Sequence, residues 1–250
     1  MALDLPKDVE EVSVLIWTTT PWTLPANQAI CINPKLNYAF VKVENQAYLI
    51  AKERVEHVAK ACGFSEYSII REQMGGEYPS HDLEFLVCKR PLSAGFSHIL
   101  FGDFVTLDQG TGCVHIAPGH GQEDYELAIK YNGSRYPSIA GKPLEVFAPV
   151  DSRGRFTDEV SEFQGLKVFE ANPRINEKLK ALGLLLGEGK LDHSYPHCWR
   201  CKHPVIFRAT DQWFVSMEAN ELRKKALEEI DHCVQWIPKW GRDRIFGMVE

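Results

Sequence analysis

The chain has 250 residues, 44% of them hydrophobic and 25% charged, with a formal net charge of -6. This composition fits a soluble globular domain with a sizeable core, and no apolar run approaches the ~20 residues that span a bilayer, so no membrane partner is expected. The acidic balance argues against an overtly nucleic-acid-binding chain, although RNA contact needs only a local basic surface, and Arg200, Lys202, His203, Arg208, Lys239, Arg242 and Arg244 gather late in the sequence.

Residues 1–10 are acidic and lack the apolar region of a secretory signal. Residues 12–17 form a β-branched, apolar run that reads as a strand and stops at a Thr-Pro segment beginning at Thr18. Residues 38–43 and 47–51 read as a hairpin turned at Glu44-Asn45-Gln46. Residues 52–62 place Val55, Val58, Ala59 and Cys62 on one helical face, and Gly63 suits the end of that helix. Short strands are expected around residues 84–88, 104–107 and 112–116. A helix over 122–131 opens with Glu123 and Asp124 in its first turn, where acids suit the dipole. Another takes Asn172 as N-cap and Pro173 as its first residue, with Ile175, Leu179 and Leu182 along its apolar face before Gly183. Residues 191–217 are aromatic and punctuated by proline. Residues 218–230, and the stretch from Pro238 onward, read as helices. Many short strands with peripheral helices predict an α+β fold built on a closed or nearly closed barrel. Of the seven cysteines, only Cys198 and Cys201 are paired in spacing. An odd number without a regular framework predicts a reducing compartment, the cytosol or an organelle matrix, and a cytoplasmic location is expected.

Three groups of residues could carry chemistry. In residues 18–27 (TTTPWTLPAN), Pro21 pushes Thr20 out of the helical region. Extended backbone then puts Thr18 and Thr20 on one face and Thr19 on the other. Two hydroxyls on one face can hold a water or bond a ribose; threonines at a strand end also cap turns. In residues 110–124 (GTGCVHIAPGHGQED), a strand runs through a Gly-rich turn into a helix, which lets a ligand approach backbone amides closely. Asp124 lies one short loop beyond His115, and a carboxylate there can receive an ammonium group. His115 could be a base, a hydrogen-bonding wall or a steric wall. Cys113 reads as a small buried hydrophobe. The Gly-His-Gly turn matches neither the P-loop nor the dinucleotide fingerprint. The third group is Cys198-Trp199-Arg200-Cys201, half of a tetrahedral zinc site. His193, His197 and His203 stand nearby at no standard spacing, so zinc is not expected in this chain.

The segments TTTPWTLPAN, GTGCVHIAPGHGQEDYE, HSYPHCWRCK and PVIFRATDQWF resemble, in the same order, the inserted editing domain of isoleucyl-tRNA synthetases. The resemblance runs from about residue 13 to residue 248. Thr20 stands where the sister synthetases for valine and leucine carry an arginine. The HIGH and KMSKS segments of the family's ATP-binding Rossmann core do not occur here. The chain is therefore expected to be an excised fragment that does not itself activate isoleucine. The family often pairs a CWRC segment with an earlier C-x-x-C expected to lie before Met1, so any zinc is expected in the full-length parent.

The resemblance implies a β-barrel-rich editing domain of the isoleucyl/valyl/leucyl type. Residues 1–190 would hold the hydrolytic pocket, and residues 191–250 would return toward the catalytic core. It implies that Thr18, Thr19, Thr20 and Trp22 line the pocket and hold the terminal adenosine and the attacking water, with Asn27 supporting that wall. His115 would admit valine and exclude isoleucine, Asp124 would take the α-ammonium, and Tyr195 would stand near the adenosine. The implied partners are the 3′ end of tRNA(Ile) carrying valine and the rest of the synthetase in cis, with no cofactor in this fragment and a monomeric state. The implied reaction is hydrolysis of valyl-tRNA(Ile), with valyl-adenylate as a further substrate. The physical need is plain: one methylene in an apolar pocket discriminates by only ~1–3 kcal/mol, and isoleucine against valine is the standing case of it. Two other functions fit the same residues: a free-standing deacylase acting in trans, and a non-catalytic tRNA-binding module organised by zinc.

Overall fold

Strands form here where β-branched and aromatic residues alternate or run unbroken. The computed structural model describes residues 5–76, 83–191 and 194–250. The strands are β1 (Glu11–Val14), β2 (Ala29–Ile32), β3 (Asn37–Val43), β4 (Gln46–Ala51), β5 (Ser68–Met74), β6 (Val87–Lys89), β7 (Phe96–Phe101) and β8 (Cys113–Ile116). The helices are α1 (Val55–Cys62), α2 (Gln122–Asn132), α3 (Tyr136–Ala140), α4 (Val168–Ala181), α5 (Leu222–His232) and α6 (Gly241–Val249). The strands assemble into two four-stranded sheets, ordered β1-β4-β3-β5 and β6-β7-β2-β8. β3 and β4 form the expected hairpin, and β1 joins β4 in parallel. In the second sheet β2 lies parallel to β7 and antiparallel to β8, with Ile30 opposite His115.

Ile30, Ile32, Tyr38, Phe40, Leu49, Ile99 and Cys113 form one buried cluster drawn from both sheets, so the sheets pack face to face. The far face of the second sheet, with Ala29, Cys31, Leu100 and Ile116, is covered by Leu127, Ala128 and Tyr131 of α2 and by Tyr136. The far face of the first, with Ala39, Val41, Tyr48 and Ile50, is covered by Val55 and Val58 of α1. Strands covered on both faces lose their polar alternation. For this reason β2, buried along its whole length, carries no period-2 signal.

The α+β class holds, with the expected barrel taking the form of two packed open sheets. Two local expectations are corrected. Residues 104–107 form no strand; the Asn33 amide satisfies the Val105 carbonyl at 2.9 Å, and the strand of this region is β7. The helix expected to start at Asn172 starts at Val168, with Lys167 as N-cap and Pro173 inside it. Val168, Ala171, Ile175 and Leu179 pack on Trp22 and Leu24, and that apolar stripe outweighs the hydrogen bond lost at the proline. Asn172, no longer a cap, accepts a hydrogen bond from the Trp22 backbone N–H at 2.9 Å.

The chain divides into two compact units, Met1–Ala209 and Thr210–Glu250. The second consists of α5 packed on α6 after a short 3₁₀ turn at Ala219–Glu221, with Arg223 bound to Glu218 at 2.7 Å. All seven cysteines are free thiols. No helix among the described residues is long and apolar enough to cross a membrane.

Two glycines separate backbone strain from crowding. Gly63 and Gly112 both have left-handed backbone, but a Cβ on Gly63 meets open space, whereas one on Gly112 would lie 2.3 Å from the Ala51 Cβ. Gly63→Ala should cost about 1 kcal/mol from the left-handed conformation alone. Gly112→Ala should cost about 3 kcal/mol, because crowding adds to strain. Urea unfolding with unchanged m-value reads both; equal losses would show that Ala51 yields.

Candidate active site

The Thr-Pro segment leaves the first sheet where Leu15 N–H donates to the Leu49 carbonyl. Thr20 precedes proline and takes the expected non-helical backbone, φ -127° and ψ 69°. Thr18 Oγ1 accepts the Thr20 N–H at 3.0 Å and lies 3.3 Å from Thr20 Oγ1. The two hydroxyls are thus neighbours, half-buried, while Thr19 is exposed. Beyond them, Pro21–Ala26 coils into a 3₁₀ helix that buries Trp22, Thr23 and Leu24.

A run of hydrogen bonds joins this helix to β8. Thr23 Oγ1 donates to the Thr20 carbonyl at 2.9 Å and lies 2.8 Å from His115 Nε2. The single hydroxyl proton is committed to a carbonyl that can only accept, so His115 Nε2 carries the proton and donates to Thr23. Nδ1 is then an acceptor, facing the Asn27 amide nitrogen at 3.4 Å. The Asn27 orientation is fixed independently, because the same nitrogen donates to the Ala29 carbonyl at 3.0 Å. Asn27 Oδ1 accepts from Ser97 Oγ at 2.5 Å, and Ser97 Oγ accepts from Arg90 Nε at 3.0 Å. Burial, reinforced by His120, pushes the His115 pKa down to about 4. His115 is therefore a neutral ring with both nitrogens engaged.

Asp124 sits in the first turn of α2, and its Oδ2 accepts the Ala117 N–H at 2.8 Å, two residues past His115. Gly121 makes this possible, since a Cβ there would lie 2.8 Å from Asp124 Cγ. No cation pairs with Asp124 among the described residues. Burial raises its pKa to about 6, against the lowering effect of the Ala117 N–H. His120, in the Gly-His-Gly turn, donates from Nδ1 to the Phe207 carbonyl at 3.0 Å and packs edge-on to Trp22, ring centroids 4.8 Å apart. Among the described residues His120 Nε2 and Trp22 Nε1 are buried without a partner.

Of the residues singled out in the sequence, Thr20, Asn27 and His115 share one hydrogen-bonded network. Thr18, Trp22 and Asp124 adjoin it through direct contacts or short backbone links. Tyr195 is tied to its own turn, its hydroxyl donating to the Val205 carbonyl at 2.8 Å, and that turn leads to Phe207 beside His120. Thr23, Ser97, His120 and Asn172 are not singled out by the sequence as members of the site, Asn172 reading there only as a helix cap. Thr23, three residues after Thr20, carried a visible turn-capping signal; Ser97 carried none, and the cap signal of Asn172 pointed away from the site.

Cys198 and Cys201 share a tight turn closed by the Lys202 N–H on the Cys198 carbonyl at 2.9 Å. Among the described residues no three His, Cys, Asp or Glu side chains form a metal-holding group; His193 lies outside the described residues. Two thiols supply half of the four ligands of a structural zinc site, so this donor set does not fit one.

A family model described as tRNA synthetases class I (I, L, M and V) matches residues 7–250. The chain belongs to the class I tRNA synthetases (I, L, M and V). It is 51% identical over 243 residues to the isoleucine–tRNA ligase of Desulfovibrio desulfuricans, covering 97% of this chain and 24% of that protein. It is 50% identical over 236 residues to the isoleucine–tRNA ligase of Petrotoga mobilis, covering 94% and 24%. The chain thus spans about a quarter of the length of these synthetases. Its fold resembles the cytosolic leucyl-tRNA synthetase editing domain of P. knowlesi, with TM-score 0.54, 12% identity, and 68% of this chain and 81% of that one covered. A similar likeness holds for the P. falciparum counterpart, with TM-score 0.54, 11% identity, and 70% and 78% covered.

Two outcomes follow from the site. Asp124 has a folded pKa of about 6, above its ordinary value of about 4. The folded state therefore binds more protons between those values, and stability falls as pH rises through that window. Asp124→Asn, which keeps an acceptor for Ala117, should raise unfolding stability at pH 7.5 by on the order of 2 kcal/mol, and the gain should vanish by about pH 4. Urea denaturation of both proteins across that range checks it; a less stable variant at pH 7.5 would contradict it. For the half-site, elemental analysis after purification without chelator should find well under one zinc per chain; about one would mean that neighbouring histidines complete the tetrahedron.

Proposed function

We propose that this chain is the editing domain of an isoleucine–tRNA ligase, hydrolysing valine wrongly esterified to the 3′ end of tRNA(Ile). The observation that carries the reading is the partly buried carboxylate of Asp124, without an ion-pair partner among the described residues and held by the Ala117 N–H, one residue beyond the end of β8. An isolated carboxylate in a desolvated position is costly unless a cation arrives to share it. The α-ammonium of an aminoacyl ester is such a cation.

In this reading the Thr18 and Thr20 hydroxyls hold the attacking water. Thr19 and Trp22 complete the pocket around the adenosine, Asn27 braces it, and Tyr195 adds a more distant wall. The water oxygen bonds to the ester carbonyl carbon, the carbon–oxygen bond to the ribose breaks, and the ribose oxygen recovers a proton as the free amino acid leaves. An aminoacyl ester is already activated, so orientation supplies most of what the protein must provide. His115, neutral and engaged at both nitrogens, acts as the wall that admits valine and excludes isoleucine. Residues 1–190 form this hydrolytic part, and residues 191–250 lead back toward the synthetic core, which acts in cis. The ligase is cytoplasmic and monomeric, this segment needs no cofactor, and any zinc belongs to the full-length protein. Valyl-adenylate is a second substrate for the same pocket.

The test compares valyl- and isoleucyl-tRNA(Ile) deacylation by the ligase containing this segment. His115→Ala should begin to hydrolyse isoleucyl-tRNA while retaining valine hydrolysis, because the clash is relieved and no proton carrier is lost. If His115 were a general base, both reactions would fall by ~10²–10⁴, and the proposed role would fail. In the same assay Asp124→Ala should lose valyl-tRNA hydrolysis through lost substrate binding, with affinity for a valyl-adenosine analogue down at least ~50-fold.

A further inference from the structure

The second sheet carries a cavity of about 300 Å³ lined by none of the residues assigned to hydrolysis. Its wall includes Gln28, Arg90, Phe96, His98, Tyr136 and Lys142. The volume is at the low end of small-molecule sites, enough for one compact ligand.

Arg90 is the feature that asks for an explanation. Its guanidinium is half-buried, with Nε donating to Ser97 Oγ at 3.0 Å and Nη2 to Gln28 Oε1 at 3.2 Å and the Gln28 carbonyl at 3.5 Å. Among the described residues Nη1 has no partner and no carboxylate lies within ion-pair distance. Burial lowers the Arg90 pKa, opposed through space by Glu145. Glu145 is itself 3.7 Å from Lys142, an exposed pair that adds little stability and leaves Lys142 free to turn. A guanidinium withdrawn from water with two unused donors is a receptor for a planar or tetrahedral oxyanion. His98 adds no competing charge: its Nδ1 lies 3.2 Å from the Tyr136 hydroxyl, and burial with nearby Arg90 keeps its pKa low.

The cavity lining is also aromatic. Phe96 is 62% exposed on β7, and a large ring presented to solvent beside a cationic group offers a stacking face next to an anion site. We infer that this cavity binds a phosphate-bearing planar ring, a single nucleotide unit, with the phosphate on Arg90 and Lys142 and the ring on Phe96. The nucleotide is either free in solution or part of an RNA strand. Arg90 also begins the hydrogen-bond run through Ser97 and Asn27 to His115, so an occupied cavity is felt at His115.

The experiment is a histidine-selective NMR titration of this chain with AMP, inorganic phosphate, adenosine and a short single-stranded RNA, each alone. AMP should shift His98 and bind at least ~10-fold tighter than phosphate or adenosine. Lys142→Gln should weaken AMP several-fold, and Phe96→Ala should erase its advantage over phosphate. Ser97→Ala should silence the accompanying shift of His115 while leaving that of His98. RNA binding at least ~10-fold tighter than AMP, and sensitive to Lys142→Gln, identifies a strand as the source; equal or weaker RNA binding identifies the free nucleotide. Asp124→Ala should leave all of this intact, which separates the cavity from the hydrolytic pocket. Absence of a His98 shift with AMP, or an AMP affinity indifferent to both Lys142→Gln and Phe96→Ala, would overturn the inference.

Discussion

The buried 2.8 Å hydrogen bond between Thr23 and His115 is the link on which the rest of the site depends. It joins the segment between β1 and β2 to the strand β8. Because the Thr23 proton is already given to the Thr20 carbonyl, the bond also decides which nitrogen of His115 is protonated. Nδ1 is thereby left to accept from Asn27, whose amide the Ala29 carbonyl orients independently, with Asn27 Oδ1 facing Ser97 and Ser97 receiving from Arg90. Every donor in the run points the same way. A buried run of this kind gains from mutual polarisation, and breaking one link strands the others at about 1–3 kcal/mol for each unsatisfied group.

The two-sheet architecture makes such a run affordable. β2 lies between β7 and β8 in its sheet, so Asn27 and Gln28, immediately before it, fall between Ser97 on one neighbour and His115 on the other. The Gly-rich turn after β8 then brings chain to chain at distances that side chains would forbid. A Cβ on Gly119 would lie 2.2 Å from the Phe147 carbonyl oxygen, and one on Gly121 would meet the Asp124 carboxylate. Glycine here serves close approach and has no need of unusual φ, since Gly121 is in ordinary extended backbone. The helix start of α2 then presents its carboxylate under partial burial, at a cost in stability that a purely structural residue would not justify.

What could be read from the sequence is what was encoded locally. The β3–β4 hairpin, α1 with Gly63, α2 with its acidic first turn, and β8 each follow from residues within a dozen positions of one another. Thr18, Thr20, His115 and Asp124 stood out because hydroxyls before a proline, and an imidazole and a carboxylate flanking a glycine turn, are unusual company. The partners that give those residues their state were not visible. Thr23 meets His115 across 92 positions, Ser97 meets Asn27 across 70, and Asn172 meets Trp22 across 150. A single sequence contains no trace of such pairings. The misread start of α4 has the same root: Asn172 followed by proline is a good local cap, but contacts with Trp22 and Leu24, distant in sequence, extend the helix one turn earlier.

Selection by size sets a demand that ordinary packing meets poorly. An aliphatic wall held only by dispersion contacts gives way by a few tenths of an ångström at small cost, and the difference between valine and isoleucine is a single methylene. A ring pinned at both nitrogens by groups that are themselves pinned cannot move without breaking hydrogen bonds on two sides. His115 is so held, by Thr23 on one side and Asn27 on the other. Its depressed pKa serves the same end, because a protonated ring would turn Nδ1 from an acceptor into a donor facing the Asn27 amide donor and push the wall out of place. In the proposed reading, then, the imidazole is used for its stiffness in a hydrogen-bonded frame, and its neutrality is a condition of that stiffness.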